Sequence, residues 1–346
     1  MLPQKDIEKI REELNHCSAP LFLFDDDPDG LTSFLLLYRQ KQAGDWSFIK
    51  ASAELGEEFL QKVHDSKPDK IFVLDKPIVS QEFIDQAKVP IIWIDHHPPV
   101  KRHNVKYFNP RVYDFNDSPS TSRLCYEVVK QDLQQDLWIA MIGITGDWQL
   151  TELSEEYRKQ FPELYPENIR RPEDALFASR TGQLVRIFSS VLKGKTSEVK
   201  KCIRQLMEIK DPYDILEQRT KEGIYVYRHY EKVAREYQKL LAEAKEQATD
   251  DKLLIYSYTE LNTSFTSDLS NELLYTFPDK FIVVCRNKSG EMKCSLRYAG
   301  KRIQPILEKA FSAGVRGYGG GHDHACGANI KEDDFGKFLD VVRDSL

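Results

Sequence analysis

Asp25-Asp26-Asp27-Pro28-Asp29-Gly30 sets four carboxylates within five residues, directly after the apolar run at 21–24. Crowded carboxylates repel one another, and burial makes each one costlier. A divalent cation reverses the sign of that cost, and hard oxygen ligands suit Mg2+ or Mn2+. The same run also fits an exposed acidic turn. Asp75 follows a second apolar run at 71–74, where a lone Asp serves equally well as a turn former or a helix cap. After a third run, at 91–94, come Asp95, His96 and His97. Imidazole beside carboxylate moves the preference toward Mn2+ or another transition ion. Asp147 closes the stretch Ile142-Gly143-Ile144-Thr145-Gly146, whose glycines would let backbone crowd a site. All four signals occupy the outlet of an apolar strand or a glycine-rich corner, and chance accounts poorly for that coincidence.

The elements that position these groups follow from apolar patterning. Compact apolar runs bounded by Asp or Pro read as buried strands of a parallel sheet, and segments 33–42 and 54–63 carry helical spacing between them. Residues 1–160 are therefore predicted to form a doubly wound, mainly parallel α/β domain that binds ligands at the carboxyl ends of its strands. The pattern turns helical from about Pro162 to Lys252, giving a predicted helical connector over 161–250. Within it, Asp211-Pro212 is expected to open one long bridging helix with an apolar seam at Val226, Tyr230, Val233, Tyr237, Leu240 and Ala244. Strands return at 253–258, 281–285 and 292–296, with a turn at 287–290, and helices are expected at 267–275, 303–311 and 333–346. Residues 251–346 thus read as a smaller α/β domain.

The 346-residue length is comfortable for two cores. A net charge of −6 argues against a broadly basic nucleic-acid coat. Locally, eight Lys or Arg against two Glu between Leu176 and Lys210 fit either a strip that tracks a phosphate backbone or a solvated helix face. No apolar run approaches the roughly 18–20 residues that span a bilayer. The charged, amphipathic N-terminal stretch lacks the apolar core of a signal peptide. A cytoplasmic protein without a membrane partner is expected. The six cysteines are scattered with no CxxC pair, so neither a disulfide nor a structural zinc is expected.

In order along the chain, these acidic and histidine signals resemble the four motifs of the DHH phosphoesterases, a group that includes RecJ-type exonucleases, nano-RNases and manganese pyrophosphatases. Gly319-Gly320-Gly321-His322, with Ala325 and Gly327, looks like the glycine-rich signature of the DHH-associated C-terminal domain, and Ser295-Leu296-Arg297 matches its substrate-side strand. The resemblance implies that Asp27 and Asp29 each hold one of two Mn2+ ions, with Mg2+ the alternative. It implies that Asp75 bridges both and that His96 and Asp147 complete the ligands of the second ion. His97 is placed near the phosphate in a catalytic role, and Asp25 either ligates a metal or orients a group that does. Arg297, His322 and the backbone of Gly319, Gly320 and Gly321 would bind substrate phosphate or the terminal nucleotide. One departure refines the match: Leu23 stands where the pyrophosphatase and nano-RNase branches carry a histidine, and D-x-D-x-D-G resembles the RecJ-type branch. The expected function is hydrolysis of single-stranded DNA or RNA from an end. Short oligonucleotides or cyclic dinucleotides are the rival substrates, and a non-catalytic replication scaffold is the rival class. A replication or helicase protein is the expected partner.

Overall fold

Successive residues of a strand face opposite sides of its sheet, so an uninterrupted apolar run must be covered twice. The computed structural model, which describes residues 1–50, 54–259 and 264–346 apart from the His322 side chain, meets that demand. Phe22, Phe24, Phe72, Leu74, Ile92 and Ile94 enter one core, whereas Leu21, Leu23, Ile71, Val73, Ile91 and Trp93 enter another. Five parallel strands lie in the order Asp45–Ile49, Pro20–Asp25, Lys70–Leu74, Ile91–Ile94 and Lys106–Phe108. From Pro20–Asp25 the chain runs out to the edge strand Asp45–Ile49, then returns on the far side with Lys70–Leu74. The order reverses between these two strands, which is where open α/β sheets take ligands.

The chain divides into two compact units, Met1–Tyr230 and Glu231–Leu346. That division falls inside the stretch expected as a connector. Helices Pro172–Ala178, Arg180–Val191 and Thr196–Glu208 lay Leu176, Leu184, Phe188, Val199 and Ile203 into the larger core of the first unit. The long helix also starts later than expected. Asp211 caps only the short helix Pro212–Leu216, taking the Tyr213 N–H at 2.8 Å, and Gln218 then turns to a φ of 54° before Lys221–Glu246 begins. Val226 and Tyr230 of the long helix pack in the first core, and Leu240 and Ala244 in a cluster of the second unit. Segment 54–63 is not a single helix: Glu54–Leu55 pairs with Ile78–Val79, and the helix itself is Leu60–Ser66.

The second unit is a five-stranded sheet in the order Gly317–His322, Ala325–Lys331, Glu291–Arg297, Phe281–Lys288 and Leu253–Thr259. Neighbours are antiparallel except the last pair, which is parallel. Ser289 and Gly290, with φ of 55° and 75°, form a tight two-residue hairpin turn at the predicted place. The expectation of no disulfide is corrected. Hairpin register sets Cys285 directly opposite Cys294, with Cα atoms 4.1 Å apart, and the two are joined. The other four cysteines are buried. No helix among the described residues is long and apolar enough to cross a membrane.

The expected glycine-rich corner before Asp147 is instead the end of helix Leu137–Gly146. Its residues are apolar all round, as befits a helix buried on every side. Gly143 allows the close crossing, because a Cβ there would meet Thr32 Oγ1 at 2.2 Å and Ser122 Oγ at 2.4 Å. Both neighbours are fully buried and cannot retreat. Gly143→Ala should therefore lower the unfolding free energy by about 1–3 kcal/mol through overpacking, measured by denaturant titration.

Candidate metal centre

The predicted acids and histidines converge on the reversal point of the first sheet. Asp25 ends the strand Pro20–Asp25, and Asp27 caps the helix Pro28–Lys41, its Oδ1 accepting the Gly30 N–H at 2.9 Å. Asp29, in the first turn of that helix, is buried. Its two oxygens accept the Thr121 N–H at 2.7 Å and the Ser122 N–H at 2.9 Å. These amides open helix Thr121–Val129, whose positive end favours an anion. Across the reversal point, Asp75 leaves its strand with a left-handed φ of 59°. The Thr121 hydroxyl donates to its Oδ1 at 2.9 Å.

His96 stands between two carboxylates, with Nε2 3.4 Å from Asp75 Oδ1 and Nδ1 3.6 Å from Asp147 Oδ2. Its buried Nδ1 has no hydrogen-bond partner among the described residues, while Gln149 Nε2 donates to Asp147 Oδ2 at 2.7 Å. Two sets offer metal-ligating atoms within 4.8 Å of one another: Asp75, His96 and His97, and Asp29, His96 and Asp147. Asp27 and Asp25 adjoin them, since Asp27 feels the charges of Asp25 and Asp29.

Electrostatics at this place favours an added cation. Burial, followed by the charges of Asp29 and Asp27, holds the Asp75 carboxyl well above the usual range, and the same causes in the same order raise Asp147. Asp27 keeps an exposed face, so water tempers the crowding around it. Even so, desolvation and then Asp25 and Asp29 push it up to about 7. Burial lowers the pKa of His96, which keeps the imidazole neutral and its lone pair free for a metal. A hard-oxygen set with one neutral imidazole and an orphaned buried nitrogen fits a divalent ion such as Mn2+.

His97 is held differently. Its Nδ1 lies 2.8 Å from Asp95 Oδ1, and Asp95 also accepts from Tyr107 Oη and Asn109 Nδ2, each at 3.1 Å. Desolvation acts to lower the His97 pKa, but the bond and charge of Asp95 outweigh it and the net shift is upward. Residue patterning singled out Asp95 but not Tyr107 or Asn109, nor Thr121, nor Lys76. Lys76 is fully buried, donates to Asp25 Oδ1 at 2.9 Å, and has its own carbonyl held by the Trp93 indole at 2.9 Å. Its signal was available, for it is a lysine immediately after an acid at a strand outlet.

The remaining predicted residues belong to the second unit. Arg297 is anchored there by Asn271 Oδ1, by Ser267 Oγ at 3.0 Å and by the Leu296 carbonyl at 2.9 Å. Gly319, Gly320 and Gly321 lie in the edge strand Gly317–His322. Gly321 has a φ of 141°, and a Cβ on Gly320 would meet nothing within 4 Å. The expectation for His322 concerns a side chain outside the described residues. Of the basic strip in the first unit, Arg186 turns inward to the Leu176 carbonyl at 2.9 Å, whereas Lys195, Lys201, Arg204 and Lys210 are exposed.

A model of the DHH family, N-terminal domain, matches residues 22–145, and a model of the DHHA1 domain matches residues 250–346. Together they place a DHH N-terminal domain and a DHHA1 domain in this chain. Among curated proteins it is 29% identical over 167 residues to Uncharacterized protein MJ0831 of Methanocaldococcus jannaschii, a match spanning 43% of this chain and 38% of that relative. Among solved structures it is similar to RecJ from Thermus thermophilus in complex with Mn2+, with 17% identity and a TM-score of 0.66 over 99% of this chain and 54% of that one. An exonuclease RecJ bound to manganese gives 15% identity and a TM-score of 0.66 over 100% of this chain and 94% of the other. At such identities the likeness is one of fold.

The raised carboxyls make a pH prediction. Their folded pKa values exceed the unfolded value of about 3.9, so their stabilising contribution is complete below that pH and is lost as pH rises through the folded values. For Asp27 that loss extends to about pH 7. Metal-free protein should lose melting temperature across this window, Asp27→Asn should lose less, and added Mn2+ should cancel most of the slope. Calorimetric scans at stepped pH measure all three.

Proposed function

We propose that the chain is a Mn2+-dependent phosphodiesterase, and specifically a RecJ-like exonuclease that degrades single-stranded DNA or RNA from an end. The observation that carries the reading is the meeting of Asp29, Asp75, His96, His97 and Asp147 at the sheet's reversal point. A DHH N-terminal domain and a fold similar to manganese-bound RecJ support it. Asp25 is compensated by Lys76, and Asp27, Asp29, Asp75 and Asp147, once deprotonated, would offer four negative charges to two divalent cations.

Asp27, Asp29, Asp75, His96 and Asp147 would hold the ions. Two divalent cations bound there would supply an activated water and neutralise charge growing on the phosphoryl oxygens. Asp29 is pre-aimed by the amides of Thr121 and Ser122, and Asp75 by the Thr121 hydroxyl, so the ligands need little reorganisation. His97, kept protonatable by Asp95, would hold a proton at Nε2 for a phosphate oxygen or the leaving group. Arg297 would bind phosphate with its planar guanidinium. End-labelled DNA and RNA strands of graded length, incubated with Mn2+, test the substrate class: progressive shortening of long strands supports the exonuclease, and cleavage limited to di- or trinucleotides would replace it.

Asp75→Ala should lower turnover on the order of a thousandfold and reduce the bound Mn2+ per chain, read by metal analysis of the purified variant. Full activity at saturating Mn2+ would remove Asp75 from the ligand set. Asp95→Asn should act through His97. Loss of the carboxylate lowers the His97 pKa, so the alkaline limb of the pH–rate profile should move to lower pH and the maximal rate fall about 10–100-fold.

A further inference from the structure

Three of the large apolar residues exposed among the described positions share one loop. Val112, Tyr113 and Phe115 are 59%, 57% and 60% exposed. The loop is strung between residues of the metal centre. At its start, Asn109 Nδ2 donates to the His97 carbonyl at 2.9 Å, and Arg111 Nε donates to the His96 carbonyl at 2.8 Å. At its end, Gln149, which holds Asp147, also donates to the Ser118 carbonyl at 2.8 Å. Arg111 is near enough to Asp147 for its charge to act on that carboxyl.

Within the loop, Phe115 is kept in place while its ring stays open. The Arg111 guanidinium lies over the ring at 5.4 Å from the centroid, and its Nη1 donates to the Phe115 carbonyl at 3.3 Å. Pro110 accepts the Tyr113 and Asp114 N–H groups, and the Asp114 carboxylate accepts that of Asn116. An exposed ring on a backbone fixed this fully costs little ordering entropy when a flat partner lands on it. The neighbouring charges say which partner. Asp117 is paired with the Met1 ammonium, on which Asp114 also acts, and Arg111 lies behind the ring, so the charges around the loop balance and its open face offers contact to an uncharged flat group. A ring with a cation behind it is a stacking platform for a nucleobase.

We propose that the 109–118 loop is a base-stacking rim of the metal centre, with Phe115, backed by Arg111, stacking on a base of the bound strand next to the phosphate being cut. This rests on the phosphodiesterase reading and deepens it, because it requires a substrate with bases. The test compares wild type, Phe115→Ala and Phe115→Trp on oligothymidylate and on an abasic strand of equal length, in Mn2+. Wild type should prefer thymidylate in kcat/KM, and Phe115→Ala should lose about five- to tenfold of that preference, chiefly through KM. Phe115→Trp should keep the preference. In a Ca2+ buffer its added indole should be quenched by oligothymidylate and not by the abasic strand. An unchanged preference in Phe115→Ala together with no base-dependent quench overturns the proposal, which is also the result expected of a loop that serves a protein partner. Equal losses on both strands overturn it as well, assigning Phe115 to the shape of the catalytic site. Should wild type cleave neither strand, the activity reading fails, and the Phe115→Trp titration still decides whether the loop takes a base.

Discussion

Mutual repulsion among carboxylates at one end of a parallel sheet is the constraint around which the first unit is arranged. Each acid of the cluster is given a partner that aims it. Asp29 receives two helix-opening amides, Asp27 the Gly30 amide, Asp75 a threonine hydroxyl and Asp147 a glutamine. These partners are neutral, so they fix direction without removing charge, and burial, followed by the charges of Asp29 and Asp27, raises the carboxyls of Asp75 and Asp147. Asp25 is met by a full opposite charge, from buried Lys76. An arrangement that orients carboxyl groups without offering them a counter-charge makes their ionisation costly unless a cation completes it. The helices serve the same end: Thr121–Val129 points its N-terminus at Asp29, and Gly143 lets helix Leu137–Gly146 approach closely enough to present Asp147.

The parts that were legible in the sequence are those in which chemistry and patterning coincide. Apolar runs ending in Asp announced the strands Pro20–Asp25, Lys70–Leu74 and Ile91–Ile94 and placed Asp25, Asp75 and His96 at their outlets, because a strand buried on both faces needs no alternation. Three features were hidden for separate physical reasons. Helix Leu137–Gly146 is apolar on every side, so it has no 3.6-residue signal, and its glycines read as a corner. Strand Gly317–His322 is glycine-rich, which removes the side chains that would reveal a period of two. Asp95, Tyr107 and Asn109 form one hydrogen-bonded group only because strands Ile91–Ile94 and Lys106–Phe108 are neighbours, a fact of tertiary pairing.

Adjacent His96 and His97 show how far local support can separate two identical side chains. The rings stand 4.5 Å apart at 66° to one another. His96 is inside the crowd of carboxylates without a hydrogen bond at Nδ1, and burial dominates, so its pKa falls. His97 has its Nδ1 on a carboxylate that Tyr107 and Asn109 keep in place, and the attraction of Asp95 overcomes burial. A histidine with a depressed pKa is prepared to give a lone pair to a metal, and one with a raised pKa to carry a proton. The same Asn109 that fixes Asp95 also fixes the His97 carbonyl, and Arg111 fixes that of His96. The backbone of both histidines is therefore clamped by the loop that bears Phe115. The loop and the two histidines are thus joined through hydrogen bonds to the backbone that carries their rings.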